Sequence, residues 1–588
     1  FSWDDERVMF ASNRTGIFNV FASPVQGGKP TQLTSSTVES TYAVSFFPRD
    51  TRLLYAHDQG GNENTHLYLR VAEGQERDLT PGDKNKADFL GWTRDDDAFY
   101  YTSNARDPKF FDLYRMDAAT LKSEMVFKNE QGFDVVDVSA DGRYVALNKT
   151  DTEFNSDVWL YNTQSKELKN LTPHQGDVVF QPAAFDPRTG QLYFLTDEGS
   201  EFRYLGRFDA AFNRREPVQK ASWDIDYAQF SRRGKYRVVG INEDGTTRIH
   251  VYDEKGAELA LPKFPQGEIR GVTISPSEKT MAFYFVGDRS PANLYTYEFA
   301  TKKLTRVTNS LNPEIDAENL VEGKVVRYRS FDKMEIPAIL YTPKQASAAK
   351  KTPAIVQVHG GPGGQSRKGY SPLMQFLVNH GYTVLMVNNR GSGGYGKTYY
   401  AADDHKHGRE PLWDCIEGKH YLQSLPYVEK DKIAILGGSY GGYMVLAALA
   451  FKPEEFNAGV DIFGVANWVR TLKSIPPYWE SFRKALYREL GDPTKEEAYL
   501  KEISPLFHVE QIKRPLLVLQ GANDPRVIKP ESDDIVAGVQ KNGVPVEYIV
   551  FDNEGHGFTK KANEIKGNQA ILEFLDKYLK ETPAPAAK

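Results

Sequence analysis

A seven-bladed β-propeller followed by an α/β-hydrolase domain is the fold predicted by the 588-residue sequence, on three observations. One phrase recurs about every 45 residues through the first half. The second half alternates apolar strands with helical stretches, the pattern of a largely parallel sheet. Between a strand-like run, Lys432–Leu436, and a helix-like run, Tyr443–Ala450, stands Gly437-Gly438-Ser439-Tyr440-Gly441, the G-x-S-x-G pattern of a nucleophile elbow.

The repeat organises residues 1–310. Each unit reads as an apolar strand, a turn rich in Pro, Asp or Gly, further strands with Tyr or Phe, and a polar stretch closing on Leu-Thr or similar. The turns fall at Trp3-Asp4-Asp5, Phe47-Pro48-Arg49, Trp92-Thr93-Arg94, Ser139–Gly142, Asp186-Pro187-Arg188, Ser231–Gly234 and Ser275-Pro276-Ser277. Closing phrases agree: Gln32-Leu33-Thr34, Asp78-Leu79-Thr80, Asn170-Leu171-Thr172 and Arg306-Val307-Thr308. Several short strands at this period mean propeller blades, and seven units fit one ring. A β-sandwich would not repeat its closing phrase. Blade one lacks most of the strand expected before Trp3, so either the chain begins late or the ring closes unusually. Asp95-Asp96-Asp97 reads as an acidic turn, because no EF-hand spacing follows it.

After a linker at 311–324, the catalytic domain is expected over 325–582, with a flexible tail at 583–588. Residues 325–343 read as a hairpin. Strands follow near 353–359, 382–388, 432–436, 458–463, 515–520 and 546–551, with helices such as 413–424, 531–541 and 565–580. The hydrolase order requires Ser, then Asp or Glu, then His, each in a loop after a strand. Ser439, Asp524 (after Leu516–Gln520) and His556 (after Val546–Phe551) meet it. His556 would take the Ser439 proton while Asp524 orients the imidazole. The main-chain N–H groups of Gly361, in His359-Gly360-Gly361-Pro362, and of Tyr440 are the candidate oxyanion donors.

Composition removes several alternatives. Lys and Arg total 73 against 79 Asp and Glu, a net charge of −6 without long like-charge blocks, which argues against a nucleic-acid or anionic-membrane partner. No apolar run approaches the roughly 18–20 residues of a membrane span. The single cysteine, Cys415, excludes an internal disulfide and any cysteine-based zinc site. His405-Lys406-His407 beside Asp403-Asp404 reads as a solvated loop, so no metal site and no cofactor are expected. Nothing resembles a phosphate loop. The abrupt start inside a blade leads to the expectation of a removed leader and a periplasmic or secreted location, with the cytoplasm as the alternative.

With these motifs the chain resembles the prolyl oligopeptidase family of serine peptidases, nearest its acylaminoacyl-peptidase-like and dipeptidyl-peptidase branches. The likeness covers nearly the whole chain and rests on His359–Pro362, Asn389-Arg390-Gly391-Ser392, Gly394-Tyr395-Gly396, Gly437–Gly442, Asn523-Asp524 with Arg526-Val527, and Glu554–Phe558. The resemblance implies that Arg526 holds the substrate carbonyl one residue before the cleaved one. It also implies that Val465 and Trp468, with the Tyr440 ring, wall the pocket for the residue at the cut; from the residues alone these could equally be core. Arg390 reads as a structural ion-pair residue. The adjacent glutamates that anchor an amino terminus in family dipeptidyl peptidases have no counterpart in this propeller, where Glu198 and Glu201 are weak substitutes. The function expected is hydrolysis of short peptides through an acyl-enzyme, of oligopeptidase, acylaminoacyl-peptidase or dipeptidyl-peptidase type, with the propeller restricting access. An esterase or amidase on the same triad is the alternative, and a propeller interaction module with a degenerate hydrolase is the non-enzyme one. The oligomeric state, including a homo-oligomer, stays open.

Overall fold

A computed structural model describes residues 1–72 and 75–581; the tail assigned to 583–588 lies outside them. Seven small antiparallel sheets follow one another in chain order over residues 7–306, five of four strands and two of three. They are the blades of a seven-bladed β-propeller. The blade strands are buried at their middles: in Tyr144–Thr152, Val145 to Asn148 are buried while Lys149 to Asp151 reach solvent.

The first blade holds three strands, Arg7–Ser12, Asn19–Pro24 and Thr31–Gln32, and among the described residues the last blade donates no strand to it. The ring closes instead through side chains. Val8, Phe10, Phe21 and Val25 pack with Ala282, Leu294 and Val307 of the last blade. The Thr296 hydroxyl donates to the Val25 carbonyl at 2.7 Å, and the Ser275 hydroxyl to Asp5 at 2.9 Å. The Asp95–Asp97 turn is held by protein groups: Trp3 Nε1 and Arg232 bind Asp96, and Arg115 binds Asp97 at 2.9 Å.

The remaining chain builds an eight-stranded sheet: β1 Lys324–Arg329, β2 Glu335–Tyr341, β3 Thr352–Val358, β4 Thr383–Val387, β5 Val428–Gly438, β6 Gly459–Ile462, β7 Leu516–Gly521 and β8 Val546–Phe551. Their spatial order is β1-β2-β4-β3-β5-β6-β7-β8. β1 and β2 form the expected hairpin, β2 runs antiparallel to β4, and all later pairs are parallel. The central strands are buried on both faces, which is why they read as continuous apolar runs. Helix Tyr440–Phe451 lies directly behind the elbow with eleven of its twelve residues buried. No helix among the described residues is long and apolar enough to cross a membrane.

Short helices between β6 and β7, at Trp468–Lys473, Glu480–Leu490 and Glu497–Glu502, were not expected from the sequence. They extend towards the propeller, where Arg488 pairs with Asp177 at 2.7 Å. Arg367 to Glu268, at 3.0 Å, and Asn523 to the Gly60 carbonyl, at 2.9 Å, tie the two domains elsewhere. Beside the His556 loop the two backbones touch. A Cβ on Gly555 would lie 1.8 Å from the Gly61 carbonyl oxygen, so only glycine allows this approach.

Candidate active site

The site gathers at the C-terminal ends of β5, β7 and β8, where loops leave a parallel sheet on one side. Ser439 sits between β5 and helix Tyr440–Phe451 at φ 58°, ψ −120°. This left-handed backbone is unfavourable for a residue with a Cβ and is sustained only by its surroundings. Its N–H donates to Ile462 O at 2.9 Å, and Gly441 must be glycine because a Cβ there would meet Val358 O at 2.2 Å. The turn thus presents the hydroxyl rather than burying it.

Ser439 Oγ lies 3.0 Å from His556 Nε2, and His556 Nδ1 lies 2.6 Å from Asp524 Oδ2. The other Asp524 oxygen accepts the main-chain N–H groups of Arg526 and Val527, both at 2.9 Å. Asp524 is buried, and the Phe463 ring packs 4.5 Å from that of His556. Glu554 ties the His556 loop down, accepting from the Lys560 N–H and from Asn563 at 2.9 Å each. The three groups named from the sequence therefore form one connected chain of hydrogen bonds.

Gly361 and Tyr440 border the same cavity as Ser439 and His556. Among the described residues neither main-chain N–H donates a hydrogen bond, which leaves both free for an oxyanion. The cavity, about 330 Å³, is lined by Val465 and Trp468, and by Leu472, Ile475, Trp479 and Leu486 from the helical insertion. Glu531 fixes its wall, accepting the N–H groups of Ala466 at 3.1 Å and Asn467 at 2.7 Å. Burial pushes this carboxyl up to about 7. Below the elbow, the fully buried Asp461 carboxyl is likewise pushed up to about 7 by burial.

Arg526 reaches into the cavity mouth, but its Nε lies 2.6 Å from Glu63 Oε1 of the propeller. The Tyr478 hydroxyl donates to the other Glu63 oxygen at 2.9 Å, and the guanidinium lies 5.6 Å from the centre of the Trp479 ring. Arg390 is buried against Asp414 at 2.8 Å and Asp332 at 2.9 Å, away from the cavity. Glu198 pairs with Arg215 at 2.6 Å, and Glu201 caps Thr398 through its N–H and hydroxyl, both at 2.8 Å. Neither is free to anchor a substrate amine.

One expectation fails. The Asp403–His407 run is not a solvated loop: Asp403 and His407 are 2% and 0% exposed, and only His405 lies out, against the Tyr499 ring. The His407 ring turns inward because its Nδ1 meets the Tyr440 hydroxyl at 2.7 Å, behind the substrate-facing side of that ring. Burial drives the His407 imidazole down to about 3 and, with the neighbouring carboxylates, the Asp403 carboxyl up to about 8.

Residues 369–582 match the model of the prolyl oligopeptidase family, and residues 36–310 match that family's N-terminal β-propeller domain. Dipeptidyl aminopeptidase BIII of Pseudoxanthomonas mexicana is 32% identical over 97% of this chain and 85% of its own length. The chain belongs to the prolyl oligopeptidase family. It is a serine peptidase whose propeller and hydrolase are both family domains. Dipeptidyl peptidase family member 6 of Caenorhabditis elegans is 28% identical over 97% of this chain and 83% of its own. A solved puromycin hydrolase superposes with a TM-score of 0.85 over 98% of this chain and 94% of its own; at 18% identity that likeness concerns the fold.

Proposed function

We propose that the chain releases short fragments from the amino-terminal end of peptides, as a dipeptidyl-aminopeptidase-type enzyme, with Ser439, His556 and Asp524 as nucleophile, general base and orienting acid. The observation that carries the chemistry is the Ser439–His556–Asp524 connection on an elbow whose backbone holds the hydroxyl forward. Attack by Oγ on the scissile carbonyl, with the proton passing to His556 Nε2, gives a tetrahedral oxyanion facing the Gly361 and Tyr440 N–H groups. His556 then returns the proton to the leaving amine, and water repeats the cycle on the acyl-enzyme. No step calls on a cofactor.

The subtype rests on two supports. Two relatives matching 97% of the chain carry dipeptidyl-peptidase names. Next to the oxyanion loop at Gly363, a cavity of about 380 Å³ between the domains is lined, besides Glu201, which is committed to Thr398, by Asp134, Glu153, Asp197 and Asp224 against Arg203 and Lys397. An excess of carboxylates there suits the ammonium of a free amino terminus. Arg526, held at the cavity mouth by Glu63, is the donor for the preceding carbonyl. Digestion of a peptide library in free and amino-acetylated forms, read by mass spectrometry, tests the reading. Released dipeptides that vanish on acetylation are expected; equal cleavage of both forms, or preferential removal of acetylated residues, would overturn it.

A further inference from the structure

Behind the Tyr440 ring lies a buried cluster that the reaction does not use. Asp403, His407 and Glu489 each offer a ligand atom, and these atoms all lie within 4.8 Å of one another. All three side chains are buried, at 2%, 0% and 2% exposure. His407 Nδ1 is taken by the Tyr440 hydroxyl at 2.7 Å. Its other nitrogen, Nε2, has no hydrogen-bond partner and is 3.8 Å from Glu489 Oε1, too long for a hydrogen bond; Glu489 Oε2 accepts from no N–H or hydroxyl donor.

Nearby cations relieve these carboxylates only from a distance, and none of them hydrogen-bonds Asp403 or Glu489. Arg488 is committed to Asp177 at 2.7 Å, Lys406 Nζ to the Ala402 carbonyl at 3.0 Å, and His405 leans to Glu496. Asp404 adds a further negative group beside the cluster, and Glu153 of the propeller lies within hydrogen-bonding reach of Glu489 across the interface, two carboxyl groups that can pair only by sharing a proton or a cation. Ionised carboxylates buried without a hydrogen-bonded counter-cation are strongly disfavoured, so this cluster takes up either protons or a cation, and a bare imidazole nitrogen beside it completes a mixed N,O donor set.

We propose that Asp403, His407 and Glu489 bind a divalent transition-metal ion that holds the Tyr440 ring in place from behind. The imidazole nitrogen favours Zn²⁺ over Ca²⁺ and Mg²⁺, which take oxygen, while the two carboxylates also suit Mn²⁺. Zinc bonds of about 2.0–2.2 Å place tetrahedral donors roughly 3.4 Å apart, inside the 4.8 Å within which the three ligand atoms already lie. The Tyr440 hydroxyl on Nδ1 is the outer-shell partner that fixes a ligating imidazole. A fourth position faces Glu153, so the ion would join the elbow, the helical insertion and the propeller. The ion would be structural and take no part in peptide hydrolysis.

The test uses the full-length, untagged protein. Metal content by mass spectrometry should be about one equivalent per chain. After chelation and desalting, Zn²⁺ or Mn²⁺ alone should bind in a calorimeter with the same stoichiometry and raise Tm by several degrees. Glu489→Gln and His407→Gln should lower content at least tenfold and abolish the Tm rise, whereas His556→Ala should keep both, which separates this site from the catalytic histidine. A metal-free protein that neither ion binds or stabilises would overturn the proposal. So would binding that survives both Glu489→Gln and His407→Gln. If those variants fail to fold, the content and titration of the unaltered protein decide.

Discussion

Removing the Arg526 side chain separates substrate recognition from the bond-breaking chemistry. Asp524 is held by the main-chain N–H groups of residues 526 and 527, which any residue supplies, so Arg526→Ala leaves the catalytic hydrogen bonds intact. What goes is a guanidinium paired with Glu63 and close to Trp479. Its side chain is 43% exposed, so the pair contributes at most about 1 kcal/mol to stability. A charged donor on a substrate carbonyl contributes about 1.5–3 kcal/mol, or roughly 10–150-fold in kcat/KM when felt at the transition state. Arg526→Ala should therefore cost that factor on a dipeptidyl anilide and leave p-nitrophenyl acetate, which has no such carbonyl, within about threefold. Glu63→Gln, which loosens the guanidinium without removing it, should fall between. Equal losses on both substrates would refute the reasoning, because they would mean that Arg526 acts on the catalytic groups themselves.

Ser439→Ala, Asp524→Asn and His556→Ala should each lower kcat by roughly 10³–10⁶-fold with unchanged circular dichroism, since the three act as a unit; a folded Ser439→Ala variant with most of its activity would sink the assignment. Gly61→Val forces the two backbones apart beside His556 and should raise the longest peptide cleaved, measured on a length ladder, while small-ester turnover stays within about threefold. The folded-state pKa of Asp461 is raised, so its contribution to stability is full below about pH 4 and is lost as pH rises through about 7. That shift corresponds to at most about 4 kcal/mol, and Asp461→Asn should flatten the pH dependence of Tm over this window; an unchanged slope would place the titration elsewhere.

The blades and the sheet were legible because period and alternation are local properties of a strand. Ser439, Asp524 and His556 were legible because each follows an apolar run that can only be a buried strand. The Arg526–Glu63 pair was not, since it joins positions in different domains that no local pattern connects. The pocket walls from Leu472 to Leu486 lie on short helices whose apolar residues read equally well as core. The Asp403–His407 run misled for a related reason. A stretch of charges reads as solvated, and only Glu489, Tyr440 and the propeller above it turn it into an interior surface.

The seam between the first and last blades and the contact between propeller and hydrolase are held by different forces. The seam is chiefly apolar packing, without a shared strand among the described residues. The domain contact runs through ion pairs such as Arg526–Glu63, Arg488–Asp177 and Arg367–Glu268. Ionic strength screens the second and barely touches the first, while cooling and urea weaken apolar packing. The two contacts are therefore expected to respond to different perturbations. If a substrate enters between the domains, added salt should speed its entry, and if it enters through the ring, low temperature should, so the salt and temperature dependence of peptide entry would tell which path a substrate uses.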